Sequence, residues 1–257
     1  MVDRRPEANG RFLRGSLQII QNMIFVTLRS VDYRDSDRIL TLFSLEKGKL
    51  AASAKGVRKA NAKMKNLTEP FTFAEVVLAE KNGRNTVTEA EIFDGFYPLR
   101  TDVIRYYAAA CALEFTDCFL PEGLEAPDYF MFLVNFFKTL AYGENVFVKN
   151  ALIGFLADAL EQNGYKLDPV SCGRCGEPIE NEVFFSPAGG YNVCKECRRE
   201  GDKKYSFATY SYIRGVCAGK ITEENKEIAN NALRFFSYYL QSTAGVTLKS
   251  ISTLIDL

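Results

Sequence analysis

The hydrophobic pattern of the chain changes its period once, near Pro98. Before that point apolar and polar positions alternate in twos. Ile24, Val26 and Leu28 alternate with Phe25, Thr27 and Arg29, and Ile39, Thr41 and Phe43 with Leu40 and Leu42. A period of two marks strands, whose successive side chains point to opposite faces. Glu46-Lys47-Gly48-Lys49 supplies a turn into a third strand over 50–55. A Phe- and Val-rich fourth strand within 69–79 meets a fifth over 86–93 through Lys81-Asn82-Gly83-Arg84, where Asn-Gly accepts the positive φ of a hairpin turn. Five short strands in so few residues suit a small closed barrel, because closure removes exposed edges.

After Pro98 the spacing becomes three and four. Ile104, Ala108, Cys111, Phe115 and Cys118 form one such series; Phe130, Leu133, Phe137 and Leu140 a second; Phe147, Ala151, Phe155 and Ala159 a third. These predict three amphipathic helices with wide apolar faces, with Gly143 and Gly164 placed as stops. A loop-rich unit over 168–204 interrupts the helices, which resume near 207–218, 222–241 and 247–256. Residues 1–22 are polar and weakly patterned, and are expected to be a leader or mobile arm ahead of Met23. The expected class is α+β: a β-barrel over 23–98, then a helical domain over 99–257 that carries the insertion at 168–204.

Composition narrows the chemistry. The chain has 257 residues, 47% apolar and 25% charged, as expected of a globular protein rather than a disordered one. It contains no His, which removes Ser-His-Asp and Cys-His nucleophile pairs, imidazole acid–base catalysis and His-ligated metal centres. No glycine-rich phosphate loop is present, since Glu46-Lys-Gly-Lys49 lacks the spacing. With no catalytic constellation, the chain is expected not to be an enzyme. The apolar runs, such as 106–113, are far shorter than the roughly 20 residues of a membrane span. The first 22 residues have no apolar core of a secretory signal. Seven cysteines, four of them in CxxC pairs, suit a reducing interior. A cytoplasmic location follows as the expectation.

Cys172-Gly-Arg-Cys175 and Cys194-Lys-Glu-Cys197, 18 residues apart, have the spacing of a four-cysteine zinc ribbon. Four thiolates close the coordination sphere, so one zinc ion held this way would be structural. The alternative is that the thiols are free or redox-active. Cys111, Cys118 and Cys217 fall on apolar helix faces and are expected in the core. The stripe Phe130, Leu133, Phe136, Phe137 and Leu140 is also expected as core, with a residual groove for an apolar peptide end as the alternative.

The zero net charge hides an asymmetry. Seven basic residues (Lys47, Lys49, Lys55, Arg58, Lys59, Lys63 and Lys65) occur without an acidic one, whereas 91–128 holds eight acidic residues against Arg100 and Arg105. A basic run on a small barrel is the footprint of polyanion binding; the bland alternative is a solvated loop. Arg34 and Arg38 are expected to extend the same face. Few aromatics interleave, since Phe43, Phe71 and Phe73 alternate as core residues would. Binding is therefore expected through phosphates, largely independent of base sequence. Asp32, Asp35 and Asp37 are interleaved with Arg34 and Arg38 and are not expected to hold a cation. Lys195, Arg198, Arg199, Lys203 and Lys204 form a weaker basic cluster, diluted by Glu196, Glu200 and Asp202. These residues leave three readings open: a DNA-binding protein, an RNA-binding module, and a protein-only adaptor with a structural zinc.

Three stretches together resemble the RecO family of bacterial recombination-mediator and DNA-repair proteins. They are 28–43 over the first two strands, the basic third-strand motif 46–58, and the four-cysteine unit within a helical domain. The resemblance implies an N-terminal OB fold, a helical domain with a zinc ribbon, and binding of single- and double-stranded DNA with annealing of complementary strands. It also implies RecR as a partner, engagement of the acidic, Phe-ended tail of the single-stranded-DNA-binding protein, and loading of RecA on coated DNA at the nucleoid. Arg34, Arg38, Lys55, Arg58 and Lys59 fall in or beside the matching motifs and are the preferred DNA contacts.

Overall fold

The structure, a computed structural model, describes residues 19–165, 167–221 and 223–257. The expected leader lies, up to residue 18, outside the described residues. Two compact units are present. One holds the chain up to Phe96 together with Leu120–Val134, the other Tyr97–Phe119 together with Asn135–Leu257.

The first unit is a barrel of β1 (Ile19–Tyr33), β2 (Asp37–Ser44), β3 (Gly48–Ala54), β4 (Phe73–Lys81) and β5 (Arg84–Asp94). They close in the order β1-β2-β3-β5-β4. β3 and β5 run parallel through Ala52↔Asn85 and Ser53↔Thr86; the other neighbours are antiparallel. This is an OB-type barrel, and the chain as a whole is α+β. β1 opens at Ile19, ahead of Met23, and its first residues pair with β4 from Ile19↔Glu80 to Asn22↔Val77. Gln21 and Asn22 break the apolar alternation there, so the strand's start is invisible in the pattern.

Phe25, Leu40, Leu42, Ala52, Ala54, Val76, Leu78 and Val87 fill the barrel. The alternation expected along β1 fails locally: Phe25, Val26, Thr27 and Leu28 are all buried. A bulge between Thr27 and Arg29 shifts the phase, and the buried Thr27 hydroxyl donates to Leu67 O at 2.8 Å. Phe43 and Phe73 face away from the barrel interior and are covered by the start of α3 (Pro127–Tyr142). Phe130 lies 5.5 Å from Phe43 and 6.2 Å from Phe73, ring centre to ring centre. Gly48 makes this approach possible. Its φ is +66°, and a Cβ there would lie 1.9 Å from the Leu124 carbonyl oxygen.

The second unit contains α1 (Tyr97–Thr101), α2 (Val103–Phe119), the rest of α3, α4 (Val148–Gln162), α5 (Phe207–Cys217), α6 (Lys226–Tyr239) and α7 (Lys249–Asp256). Its caps are supplied largely by side chains. Glu224 accepts from Lys149 N at 2.9 Å at the start of α4, Asn225 accepts from Ile228 N at 3.1 Å at the start of α6, and Glu114 accepts from Ser250 N at 3.1 Å at the start of α7. Asn225 as a cap explains why α6 begins later than the expected 222. The Phe130-to-Leu140 stripe is core, with all five side chains buried. Of the three cysteines expected in the core, Cys111 is buried, but Cys118 and Cys217 are exposed. Both sit at the ends of their helices, where the apolar face no longer covers them. Among the described residues no helix is long and apolar enough to cross a membrane.

Candidate metal centre and nucleic-acid interface

The cysteine unit is built on a small sheet of β6 (Val183–Ser186), β7 (Tyr191–Cys194) and β8 (Lys203–Tyr205), ordered β7-β6-β8. The first CxxC forms a tight knuckle: Gly176 N donates to Cys172 O, and Cys172 N to Glu177 O, both at 2.8 Å. The second leaves the end of β7. The sulfurs of Cys172, Cys175, Cys194 and Cys197 all lie within 4.8 Å of one another, with Cys175 and Cys194 at 4.0 Å. Four thiolates around a metal at about 2.3 Å would stand about 3.8 Å apart, so the group could hold an ion after a small contraction. Ionisation agrees. Burial pushes Cys172 up, but the N–H groups of Cys194, Arg174 and Cys175 outweigh it and hold the thiol down at about 6. Contacts with the Cys175 and Cys194 sulfurs push Cys197 up to about 12. One sulfur sheds its proton readily and its neighbours then resist, a conflict that a divalent cation resolves.

Arg174 links the two knuckles. Its guanidinium donates to Cys197 O at 2.6 Å and makes a two-pronged pair with Asp202, at 2.6 and 3.1 Å. Asp202 in turn accepts from Arg199 N at 2.7 Å. Such outer contacts orient the ligands. Tyr191 is wedged between two glycines: a Cβ on Gly173 would lie 2.4 Å from its ring, and one on Gly189 2.3 Å. Gly173→Ala therefore pushes on the knuckle that carries two of the four cysteines. Metal affinity is expected to fall by about 10- to 100-fold, read by competition with a chromophoric chelator. Unchanged affinity would mean that the ring moves aside freely.

The nine basic residues expected to form one face do not lie together. β2 and β3 form a hairpin whose closed end pairs Ser44 with Gly48 and whose open end pairs Arg38 with Ala54. Lys47 and Lys49 sit at the closed end, where Lys47 Nζ donates to Gln21 Oε1 and Lys49 O accepts from Gly123 N. Arg34, Arg38, Lys55 and Arg58 sit at the other end, about 20 Å away along the strands. Lys59 follows in the turn after Gly56, and Lys63 and Lys65 continue in the connection to β4. Two of these cations also brace the fold. Arg38 pairs with Asp32 at 3.0 Å and donates to the Thr68 hydroxyl at 2.9 Å. Arg58 pairs with the same Asp32 at 3.2 Å and donates to Arg34 O at 3.2 Å. Asp37 accepts from Gly56 N at 2.8 Å, which with Ser36 and the nearby Arg34 and Lys55 charges holds its carboxyl below the usual range against a small desolvation. Asp32 and Asp37 thus brace the β1–β2 turn.

At this end a cleft of about 500 Å³ opens on the barrel surface. Tyr33 and Arg34 of the β1–β2 turn and Lys55 form one side; Gly83, Arg84 and Asn85 of the β4–β5 turn form the other; Ile39, Ala51 and Ser53 form the floor. Asn85 Nδ2 donates to Ala51 O at 3.2 Å and ties the second turn to β3. Only Arg34 and Lys55 of the nine expected residues line this cleft. Arg84 joins them from distant sequence, and Tyr33 from the position next to Arg34. Arg84 was legible only as part of the Asn-Gly turn, because charge runs show neighbours along the chain and not across a barrel.

A second groove, of about 540 Å³, lies in the helical unit between β8 and α6. Phe185, Tyr205, Phe235 and Tyr238 give it an aromatic lining, and Lys203, Lys204 and Arg234 a basic rim. Lys204 also pairs with Glu182, whose carboxyl is held down at about 2 by Lys204 and Lys195.

Known proteins agree with both halves of this description. The N-terminal part of the Recombination protein O family matches residues 21–96, which hold the barrel, and its C-terminal part matches residues 100–251. The chain belongs to the RecO family. Among its curated relatives, "DNA repair protein RecO" of Desulforamulus reducens is 28% identical over 234 residues, which is 86% of this chain and 90% of that protein. The protein of the same name from Desulfitobacterium hafniense is 29% identical over 238 residues, 88% of this chain and 86% of the relative. That of Frankia casuarinae is 34% identical over 196 residues, 76% and 80% of the two chains. The two family matches together take in the barrel, the helices and the cysteine unit.

Proposed function

We propose that this chain is a non-enzymatic recombination mediator in DNA repair, acting in the cytoplasm at the nucleoid. Its barrel binds single- and double-stranded DNA with little sequence preference, anneals complementary strands and, with RecR, helps RecA load on strands coated by the single-stranded-DNA-binding protein. The observation that carries this reading is the convergence of Arg34, Lys55 and Arg84 on one cleft between two barrel turns, with Lys59 exposed in the turn that follows Lys55. Such cations neutralise phosphates and release counterions. Annealing follows from the same chemistry, because screening two backbones lowers their repulsion. No bond is made or broken, which fits a chain without His or a nucleophile pair.

The metal is zinc, with one ion per chain held by Cys172, Cys175, Cys194 and Cys197. An all-thiolate tetrahedron suits that ion, leaves no open position, and makes its role structural. The acidic, Phe-ended tail of the single-stranded-DNA-binding protein is assigned to the groove between β8 and α6. Among the described residues β8 pairs only with β6, so its other edge is open to an extended peptide. The aromatic lining suits the terminal Phe, and Lys203, Lys204 and Arg234 suit the acidic residues.

Annealing of two complementary labelled oligonucleotides, followed by energy transfer, tests the proposal. The protein is expected to accelerate annealing in a salt-sensitive way, and Lys55→Glu/Arg84→Glu to abolish the acceleration. Matched RNA competes less well than DNA on this reading. No acceleration at low salt, or equal loss to an RNA competitor, would overturn it.

A further inference from the structure

We infer that the outer face of β1, β2 and β3 is a stacking platform for unpaired bases, with Tyr33 as its principal ring, so that this barrel selects single strands over duplex. The inference rests on the barrel being the nucleic-acid site and adds what that site distinguishes.

Register places the residues. Leu40, Leu42, Ala52 and Ala54 fill the barrel, so Ile39, Thr41, Ala51 and Ser53 face outward. Beyond the β1 bulge, Val31 lies opposite Ile39 and Tyr33 opposite Asp37, while Ser53 lies opposite Ile39 on one side and Thr86 on the other. One outward face therefore carries Tyr33, Val31 and Ile39 beside Asp37 and the small residues Ala51 and Ser53. Tyr33 is 44% exposed and Val31 48%. Apolar side chains contribute nothing to phosphate binding, yet Tyr33, Ile39 and Ala51 line the cleft rimmed by Arg34, Lys55 and Arg84, together with Asp37. Cations around an exposed ring and aliphatic side chains match a ligand with charge on its backbone and flat apolar faces beside it. An unpaired strand has both within reach. A duplex keeps its base faces inside its own stack and offers phosphates and groove edges only.

The ring is also held in place. Arg34 adopts φ +54°, a left-handed conformation uncommon for a residue with a side chain. Its carbonyl accepts from Arg58, and its guanidinium stands 5.1 Å from the centre of the Tyr33 ring. One face of Tyr33 is thus backed by a cation that also meets a phosphate, and a base can take the other. Arg58 acts here as a positioning residue, through the turn it holds. Ala51 and Ser53 keep the floor low, leaving room for a base between the two turns.

The test uses the full-length protein. The chain has no Trp, so Tyr33→Trp puts a single indole at the platform. Adding oligo(dT) is expected to quench its emission while affinity is kept, and duplex of equal length to leave the emission unchanged. Tyr33→Ala is expected to weaken oligo(dT) binding by about 5- to 100-fold and duplex binding less than twofold, with an unchanged melting temperature. Equal losses for both ligands, or no quenching, would overturn the inference while leaving the barrel as the DNA site. If Lys55→Glu/Arg84→Glu leaves both affinities intact, the underlying reading of the barrel fails instead. Should Tyr33→Ala fail to fold, the quenching comparison decides alone.

Discussion

Cys172→Ser is expected to abolish metal binding and to unfold the cysteine unit, the largest single effect foreseen for this chain. Cys172 is the buried member of the four and the one whose thiol is already held low by three backbone N–H groups. Its loss leaves three thiolates without the cation that lets them coexist. Structural zinc typically contributes about 10–16 kcal/mol of apparent binding free energy, far more than a sheet of three short strands gains from its own core. The damage should spread within the helical unit, because Phe185 packs 5.4 Å from Phe235 and Tyr205 stacks on Phe235 at 4.5 Å. Elemental analysis should give one zinc per wild-type chain and none for the variant, with loss of near-ultraviolet dichroism. Iron in the freshly isolated protein, or a fully folded variant without metal, would reject the assignment.

The second large effect concerns charge, and it separates two ends of one barrel. Lys55→Glu/Arg84→Glu is expected to weaken single-strand binding by at least about 25-fold at 0.1 M salt, since each phosphate contact contributes about fivefold at that concentration. Lys47→Glu/Lys49→Glu, about 20 Å away at the other end of the β2–β3 hairpin, should change affinity less than about threefold. Arg58→Glu should behave differently again. It removes the brace on the β1–β2 turn and should lower stability as well as affinity. Anisotropy titrations with thermal melts of all three variants check this. Equal losses in the first two would mean that DNA runs along the whole barrel and that the cleft has no special place.

What could be read from the chain follows from what is local in it. The strands, the helices and the two CxxC turns each depend on residues within a few positions, so period and spacing revealed them. The bulge at Thr27 was not legible, because it answers to the Leu67 carbonyl. Neither was the transfer of Leu120–Val134 to the barrel, which depends on Phe43 and Phe73 turning outward onto Phe130. The basic face suffered most. Consecutive cations look like one surface in sequence, yet a hairpin sends Lys47 and Lys55 to opposite ends, and the β4–β5 turn brings Arg84 in from elsewhere. Arg38 and Arg58 look like DNA contacts by type, and both also pair with Asp32, which no charge run reveals.

The central claim is that this barrel end holds a strand by its phosphates. The most direct measurement is the affinity for a labelled single-stranded oligonucleotide across a salt series. About five contacts from the exposed cations at that end should give a log–log slope of roughly −3 to −4, flattened in Lys55→Glu/Arg84→Glu. A slope near zero, or no binding at low salt, would contradict the account and leave the protein-only adaptor in its place.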